Sequence, residues 1–311
     1  MFTNNSSTSS VTSGELLMSG IMTFSFGVAA TFVNILTPYA IYTYPSLRSP
    51  CFALIATGAL FNWMVGFGFL NEGVQRIGLY VGVLGNQYTR VSCALMSMTK
   101  LVSGCVSLLS CMISIDRLVG ITVPFRYELY GRRIAACGIT SSVVVAVANI
   151  VVAIATLPTP VNGIITCATF VSAFHPTYAS CYKILGLAFN IALVAVYVVA
   201  ALVISRRKRK IGDAAQTPFM STQLALVPVI RTMIAMHILF GCFTDLASLV
   251  FSNLYGGKYL PRASFYVGSL KAVSTVSDFS SLLFMSSEFR MALKNIFQVS
   301  YLCSSNAQQI S

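Results

Sequence analysis

Long apolar segments alternate with short polar ones over most of the chain. A helix needs about 20 residues to cross the hydrocarbon core of a bilayer, and segments of this kind cover residues 19–43, 50–70, 92–115, 134–157, 183–205, 227–253 and 263–287. The apolar run 77–85 is too short to span a membrane, so we expect it to form an extracellular loop or a helix extension. The pattern predicts an all-α membrane protein built as a bundle of seven transmembrane helices.

The composition excludes an ordinary soluble domain. The 311 residues are 56% hydrophobic and 9% charged, whereas soluble domains carry about 25% charged residues. The net charge of +12 does not indicate nucleic-acid binding, because the basic residues lie between apolar segments and not along one exposed face. No C-x-x-C pair, catalytic triad or phosphate loop is present, so we expect no metal, no cofactor and no enzyme activity.

The basic residues predict the orientation in the membrane. With the N-terminus outside, 13 of the 20 Lys and Arg residues lie on the cytoplasmic side, and Lys100 and Lys271 lie within the bilayer. Residues 1–18 then form an extracellular tail, 19–287 the helix bundle, and 288–311 a cytoplasmic amphipathic helix and tail. Asn4 and Asn5 both fit the acceptor pattern for N-linked glycans. The basic residues expected outside are Arg76, Arg90, Lys183, Lys258 and Arg262.

Polar residues recur at helical spacing within three of the segments, which predicts polar faces turned toward other helices. The third segment carries Lys100, Ser103, Ser107, Ser110, Ser114 and Arg117. The sixth carries His237, Gly241, Asp245 and Ser248, and the seventh carries Lys271, Ser274, Asp278 and Ser281. The serines alone are explained by close helix packing.

Ionisable residues inside a membrane indicate a functional site with a partner to be named. Lys100, Asp245 and Lys271 should lie in the outer half of the bilayer, where Asp245 could pair with either lysine. A purely structural ion pair is one interpretation. The other is that the surplus positive charge binds a ligand with a carboxylate or another electron-rich group, in a pocket lined by Lys100, Ser103, Asp245, Lys271 and Ser274.

A longer motif follows the third polar stripe. The sequence from Ser114 to Tyr127 reads S-I-D-R-L-V-G-I-T-V-P-F-R-Y and resembles the D-R-Y…I-x-x-P-x-x-Y block of rhodopsin-like G protein-coupled receptors. Asn34 and Asn62 resemble polar residues of the first two helices in that family, and the seventh segment ends in a form similar to N-P-x-x-Y. The block from Asp116 to Tyr127 and the S-S-E-F-R sequence after the seventh segment together most resemble nematode serpentine chemoreceptors of class SX. The second-helix Asp is replaced by Asn62, and C-W-x-P is missing from the sixth segment.

The resemblance implies a receptor that binds an extracellular small molecule or peptide and activates a heterotrimeric G protein. The expected location is the plasma membrane, with the sensory cilium as one option. The resemblance also implies a disulfide from Cys93 to Cys167, or to Cys181 as the alternative. The coupling and switch residues implied are Asp116, Arg117, Pro124, Tyr127, Tyr197 and Asp278. Two other functions remain open: a transporter or channel, and an opsin-like receptor with retinal near Lys271.

Overall fold

A computed structural model of the chain describes residues 13–83, 88–89, 93–94, 101–123, 126–158, 164–165, 174–211, 228, 231–232, 235–236, 238–254 and 260–310. The long helices are α1 (Ser13–Thr43), α2 (Pro50–Val81), α3 (Ser103–Thr122), α4 (Tyr127–Ala155), α5 (Pro176–Ile211), α6 (Phe243–Leu254), α7 (Leu260–Met285) and α8 (Ser287–Ile310). A 3-10 helix, Pro45–Leu47, joins α1 to α2, and a π-helical turn, Ile238–Cys242, leads into α6. Strands β1 (Tyr88–Thr89) and β2 (Ile164–Ile165) pair antiparallel.

Five of the described helices, α1 to α5, are long and apolar enough to cross a membrane. The described part of α6 is shorter. Helix α7 has 26 residues, but Lys271, Asp278 and several serines lower its hydropathy. Large apolar side chains cover the outward surfaces of α1, α4 and α5: Phe32 is 58% exposed, Val144 60% and Ile191 59%. Apolar exposure over several long helices is typical of a surface that contacts lipid.

Helices α1 and α2 pack unusually closely along their length. A Cβ atom added at Gly27 would lie 2.4 Å from the backbone nitrogen of Leu70, and one added at Gly73 would lie 2.5 Å from that of Phe24. Only glycine leaves room for this approach of the two backbones. The main core is formed around this pair by side chains that include Leu54, Leu109 and Leu282, and Phe289 of α8 closes it at one end.

Helix α2 extends well beyond the predicted segment 50–70. It continues to Val81 and ends where Gly82 adopts a left-handed conformation with φ 76°, so residues 77–81 are a helix extension. Arg76, expected on the outer side of the membrane, lies within this helix. Arg76 is 4% exposed, forms an ion pair with Glu72 one turn earlier, and donates a hydrogen bond to Thr23 Oγ1 of α1 at 3.0 Å. These contacts link α2 to α1 in the part of α2 that extends beyond the predicted apolar segment.

Other helix boundaries also lie outside the predicted ones. Helix α4 begins at Tyr127, seven residues before the apolar segment, and α5 runs on through the basic sequence Arg206–Lys210. Helix α8 follows α7 after one residue. Arg290 ties the two together, because its Nη1 donates to the carbonyl oxygens of Leu283 (3.2 Å) and Phe284 (2.6 Å) in the last turn of α7. A basic side chain thus satisfies carbonyl groups that a helix end leaves free.

Candidate functional site

The first polar centre, which we call the Arg117 cluster, consists of Asp116, Arg117 and Tyr127. Arg117 Nε donates to Asp116 Oδ2 at 3.0 Å, and Nη2 donates both to that oxygen and to the Tyr127 hydroxyl at 2.5 Å. The Tyr127 hydroxyl in turn donates to Asp116 Oδ1 (3.0 Å) and Oδ2 (2.8 Å). All three residues are at most 4% exposed. The cluster is therefore a closed ring of charge-assisted hydrogen bonds shielded from solvent.

Three helices position the Arg117 cluster. Asp116 and Arg117 lie in the last turns of α3, Tyr127 is the first residue of α4, and Cys51 at the start of α2 lies within side-chain hydrogen-bonding reach of Asp116. Burial raises the pKa of the Tyr127 hydroxyl well above its ordinary value and outweighs the Arg117 charge, which acts to lower it. The hydroxyl therefore keeps its proton and can donate to the carboxylate.

A second polar contact joins α1, α2 and α7 nearer the middle of the bundle. Asn62 Nδ2 donates to Asp278 Oδ2 at 3.0 Å, and Asn34 Nδ2 donates to the carbonyl oxygen of Thr275 at 2.7 Å. Both asparagines are buried. The two amide side chains thus link α7 to α1 and α2 by hydrogen bonds.

The third polar centre, which we call the Asp245 network, consists of Ser107, Asn190, Asp245 and Lys271. Lys271 Nζ lies 2.9 Å from Asp245 Oδ1, and Asn190 Nδ2 donates to Asp245 Oδ2 at 3.1 Å. Ser107 Oγ donates to Asn190 Oδ1 at 2.8 Å. These contacts form one continuous chain of polar groups through α3, α5, α6 and α7. Of the two lysines proposed as partners of Asp245, Lys271 is paired with it.

Polar contacts between α3 and α5 continue beside this network. Ser103 Oγ and the Tyr182 hydroxyl lie 2.9 Å apart, and Tyr182 also donates to the carbonyl oxygen of Leu101 at 3.3 Å. Since Ser107 lies ten residues before Arg117, a helical rise of about 1.5 Å per residue separates the Asp245 network from the Arg117 cluster by roughly 15 Å along α3. The same helix therefore carries a residue of each centre.

Helix α6 has an irregular start immediately before Asp245. The π-helical turn Ile238–Cys242 contains the buried Gly241, and the Thr244 hydroxyl donates to the carbonyl oxygens of Phe240 (2.6 Å) and Gly241 (2.8 Å). A π turn widens the helix by one residue and often marks a functional position.

The serine stripes divide into two groups. Ser103 and Ser107 bond to side chains of α5, as expected for pocket or interface residues. In contrast, Ser110 and Ser114 donate to carbonyl oxygens of α3, and Ser274 donates to the carbonyl oxygen of Lys271 in its own helix at 2.7 Å. Ser274 is thus buried, and its hydroxyl donates within α7.

Several predicted residues can be located only in part. Tyr197 lies half-buried against the main core, and its approach to Arg117 stays a prediction. Cys93 is disulfide-bonded, whereas Cys181 carries a free, exposed thiol and is not its partner. The predicted residues Asn4, Asn5, Lys100, Pro124, Cys167 and His237 lie outside the described part of the chain.

Three residues of α5 were not predicted as site residues: Tyr182, Lys183 and Asn190. The charges of Asp245 and Lys271 both act on Lys183, so Lys183 belongs to the same region. Asn190 had a signal in the sequence, because it is a lone amide within a long apolar segment, and such residues usually bond across helices.

Comparison with known proteins identifies the family of the chain and the fold that it resembles. Residues 27–297 match the model of the family described as serpentine type 7TM GPCR chemoreceptor Srsx. No curated protein matches the chain. Among solved structures, the crystal structure of squid rhodopsin superimposes with a TM-score of 0.71 at 16% identity, covering 94% of this chain and 83% of that one. At this identity the structural likeness shows the fold, which is that of the seven-helix rhodopsin bundle.

Proposed function

The chain belongs to the Srsx family of serpentine 7TM GPCR chemoreceptors, and on this premise we propose that it senses an extracellular small molecule or peptide and activates a heterotrimeric G protein. The proposal includes an extracellular N-terminus, a cytoplasmic C-terminus and a location at the plasma membrane, with the sensory cilium as one site. The transporter or channel alternative has no support in the family match.

The observation that carries the proposal is the closed Arg117 cluster. Arg117 bonds to Asp116 on α3 and to Tyr127 at the start of α4, and the sequence has no acidic residue between Asp213 and Asp245 that could hold Arg117 from the sixth helix. Tyr127 therefore serves as the clamp of the resting state, since its hydroxyl both accepts from Arg117 and donates to Asp116. Release of this clamp would free the guanidinium for a G protein.

The Asp245 network is the proposed ligand end of the receptor. It joins the four helices that would have to move relative to one another, and the π turn next to Asp245 gives α6 a point at which its direction can change. A ligand that binds one arrangement of these helices better than the other shifts the equilibrium toward it. Lys100, Ser103 and Ser274 complete the proposed pocket, and the Cys93–Cys167 disulfide and glycans on Asn4 and Asn5 belong to its outer face.

The test is G-protein activation in cells that express the chain at the surface. We expect nucleotide exchange on a heterotrimeric G protein above that of untransfected membranes, and no exchange above background with Arg117→Ala at equal surface level. A chain that activates equally well without Arg117 would contradict the coupling role. Unchanged responses to every active compound in both Lys100→Ala and Lys271→Ala would contradict the proposed pocket.

The opsin-like alternative has one observation in its favour, the carboxylate 2.9 Å from Lys271. A retinal Schiff base requires a neutral amine, whereas an ion pair with Asp245 favours the ammonium form. We therefore expect no visible absorption band when purified protein is incubated with retinal. A band that disappears in Lys271→Ala would establish the alternative.

A further inference from the structure

We propose that Lys183, Asp245 and Lys271 form a binding site for a small organic anion, with Lys183 as the residue that first contacts it. This inference rests on the proposed receptor function and names the chemical class of its ligand. It begins from the geometry of α5, where Lys183, Gly186 and Asn190 follow one another at spacings of three and four. Residues at these spacings share one face of a helix, and Asn190 fixes that face toward Asp245.

The charges in this region do not balance. Asp245 is paired with Lys271 at 2.9 Å, so one positive charge is already compensated. Lys183 is half-buried and makes no hydrogen bond or ion pair with any residue in the described part of the chain, yet its charge acts on both members of that pair. Two lysines against one carboxylate leave one positive charge inside the membrane-spanning part of the bundle, where an uncompensated charge is costly.

Space for a ligand group lies beside these charges. Among the described residues, a Cβ atom added at Gly186 would have one neighbour within 4 Å, Asp245 Oδ2 at 3.5 Å. Lys271 is paired with Asp245 of α6, which Asn190 of α5 also bonds. The Lys271 side chain is nevertheless 29% exposed. Gly186 on α5 and the partly exposed Lys271 side chain on α7 thus both border Asp245, and Lys183 lies one turn from Gly186 on the same helix face.

An organic anion fits this arrangement better than a neutral or cationic ligand. Carboxylate, sulfonate and phosphate groups share the chemistry that an ammonium group recognises, a concentrated negative charge with strong acceptor oxygens. Asp245 already holds Lys271 in the same way. A ligand anion bound by Lys183 would compete with Asp245 for Lys271, and this competition would alter the chain of bonds through Asn190 to α3.

The experiment measures the electrostatic potential at Gly186 with two thiol reagents of similar size and opposite charge. The probes are sulfonatoethyl methanethiosulfonate, an anion, and trimethylammonioethyl methanethiosulfonate, a cation. They are applied to the full chain carrying Gly186→Cys and Cys181→Ser, since Cys181 is an exposed thiol on the same helix. The parent chain with Cys181→Ser alone gives the background, and each rate is divided by the rate with a free small thiol.

We expect the anionic probe to react faster after this normalisation, and Lys183→Gln to lower the anion-to-cation ratio by about fivefold or more, since the two probes differ by two charges near the site. Lys294→Gln, which removes the same charge from an exposed position on α8, should leave the ratio unchanged. Asp245→Asn should raise it. A preference for the cation, a ratio that Lys183→Gln does not change, or an unreactive thiol at position 186 would overturn the proposal.

This measurement is independent of the receptor function, because labelling requires no G protein. A chain that shows the expected charge preference but never promotes nucleotide exchange would contradict the proposed function and leave the anion site standing. The reverse result, exchange without charge preference, would remove the anion site alone.

Discussion

The Arg117 cluster and the Asp245 network both hold an ion pair inside the helix bundle, but they shield it to different degrees. The side chains of Arg117 and Asp116 are 4% and 0% exposed, whereas those of Lys271 and Asp245 are 29% and 14% exposed. The first pair comes from adjacent residues of one helix, and the second joins α6 to α7. The comparison teaches that the first pair is closed off from solvent within one helix, while the pair that joins two helices remains partly accessible.

The largest expected effect follows from breaking the fully buried pair. Asp116→Ala leaves a guanidinium that stays charged, and loss of one partner of a buried ion pair costs about 3–5 kcal/mol. We expect a marked fall in the thermal unfolding temperature of the purified protein. Arg117→Ala should cost less, because the remaining carboxylate keeps the Tyr127 hydroxyl as a hydrogen-bond donor. Equal stability of Asp116→Ala and the parent chain would show that the cluster is not the closed unit described.

The next largest effect concerns Tyr127, the proposed clamp of Arg117 in the resting state. Tyr127→Phe keeps the ring but removes the hydroxyl that bonds both charged partners, and hydrogen bonds to charged groups contribute about 1.5–3 kcal/mol. We expect ligand-independent G-protein activation to rise severalfold, measured as nucleotide exchange at matched surface level. Tyr130→Phe, one turn later at an exposed position of α4, is the control and should not raise it. Unchanged basal activity in Tyr127→Phe would assign the resting clamp to another residue.

A smaller effect on stability is expected from breaking the partly exposed ion pair of Asp245 and Lys271. In a double-mutant cycle with Asp245→Asn and Lys271→Gln, we expect a coupling energy of about 0.5–1 kcal/mol, the range for exposed ion pairs. Unfolding temperatures of the two single variants and the double variant provide the measurement. A coupling as large as that of Asp116 with Arg117 would remove the contrast between the two centres.

The smallest expected effect concerns the hydrogen bond between α3 and α5, which we expect to contribute to the stability of the helix bundle. Ser107→Ala removes the bond to Asn190 that crosses from α3 to α5, and an ordinary hydrogen bond contributes about 0.5–1.5 kcal/mol. Ser110→Ala is a matched control, since in the described part of the chain the Ser110 hydroxyl bonds within its own helix, to the carbonyl oxygen of Val106 at 2.9 Å. We expect Ser107→Ala to lower the unfolding temperature more than Ser110→Ala does. The opposite order would contradict the cross-helix role.

The sequence predicts the Arg117 cluster well because its members are near neighbours. Asp116, Arg117 and Tyr127 lie within one motif, and short spacing along the chain places them together in any helix–loop–helix arrangement. The fold class follows from segment length and apolar content for the same reason, as both are local properties. The family match and the rhodopsin-like fold confirm the predicted fold class.

The Asp245 network depends on how distant helices turn toward one another, which local patterns do not determine. Asp245 had two possible lysine partners in the sequence, and only tertiary packing distinguishes them. Ser274 shares a helical face with Lys271 yet bonds within its own helix, because a serine can satisfy itself on the preceding turn. The predicted end of α2 was too early because Glu72 and Arg76 resemble loop residues until Thr23 is placed beside them.

The buried position of Arg76 has a consequence for biosynthesis. A guanidinium within a membrane-spanning segment opposes insertion of that segment on its own, and its partners are Glu72 in α2 and Thr23 in α1. The glycines that bring the two backbones together, Gly27 and Gly73, allow α1 to cover Arg76. The translocon should therefore release α1 and α2 into the bilayer together, as a preassembled helical hairpin on which the later segments are added.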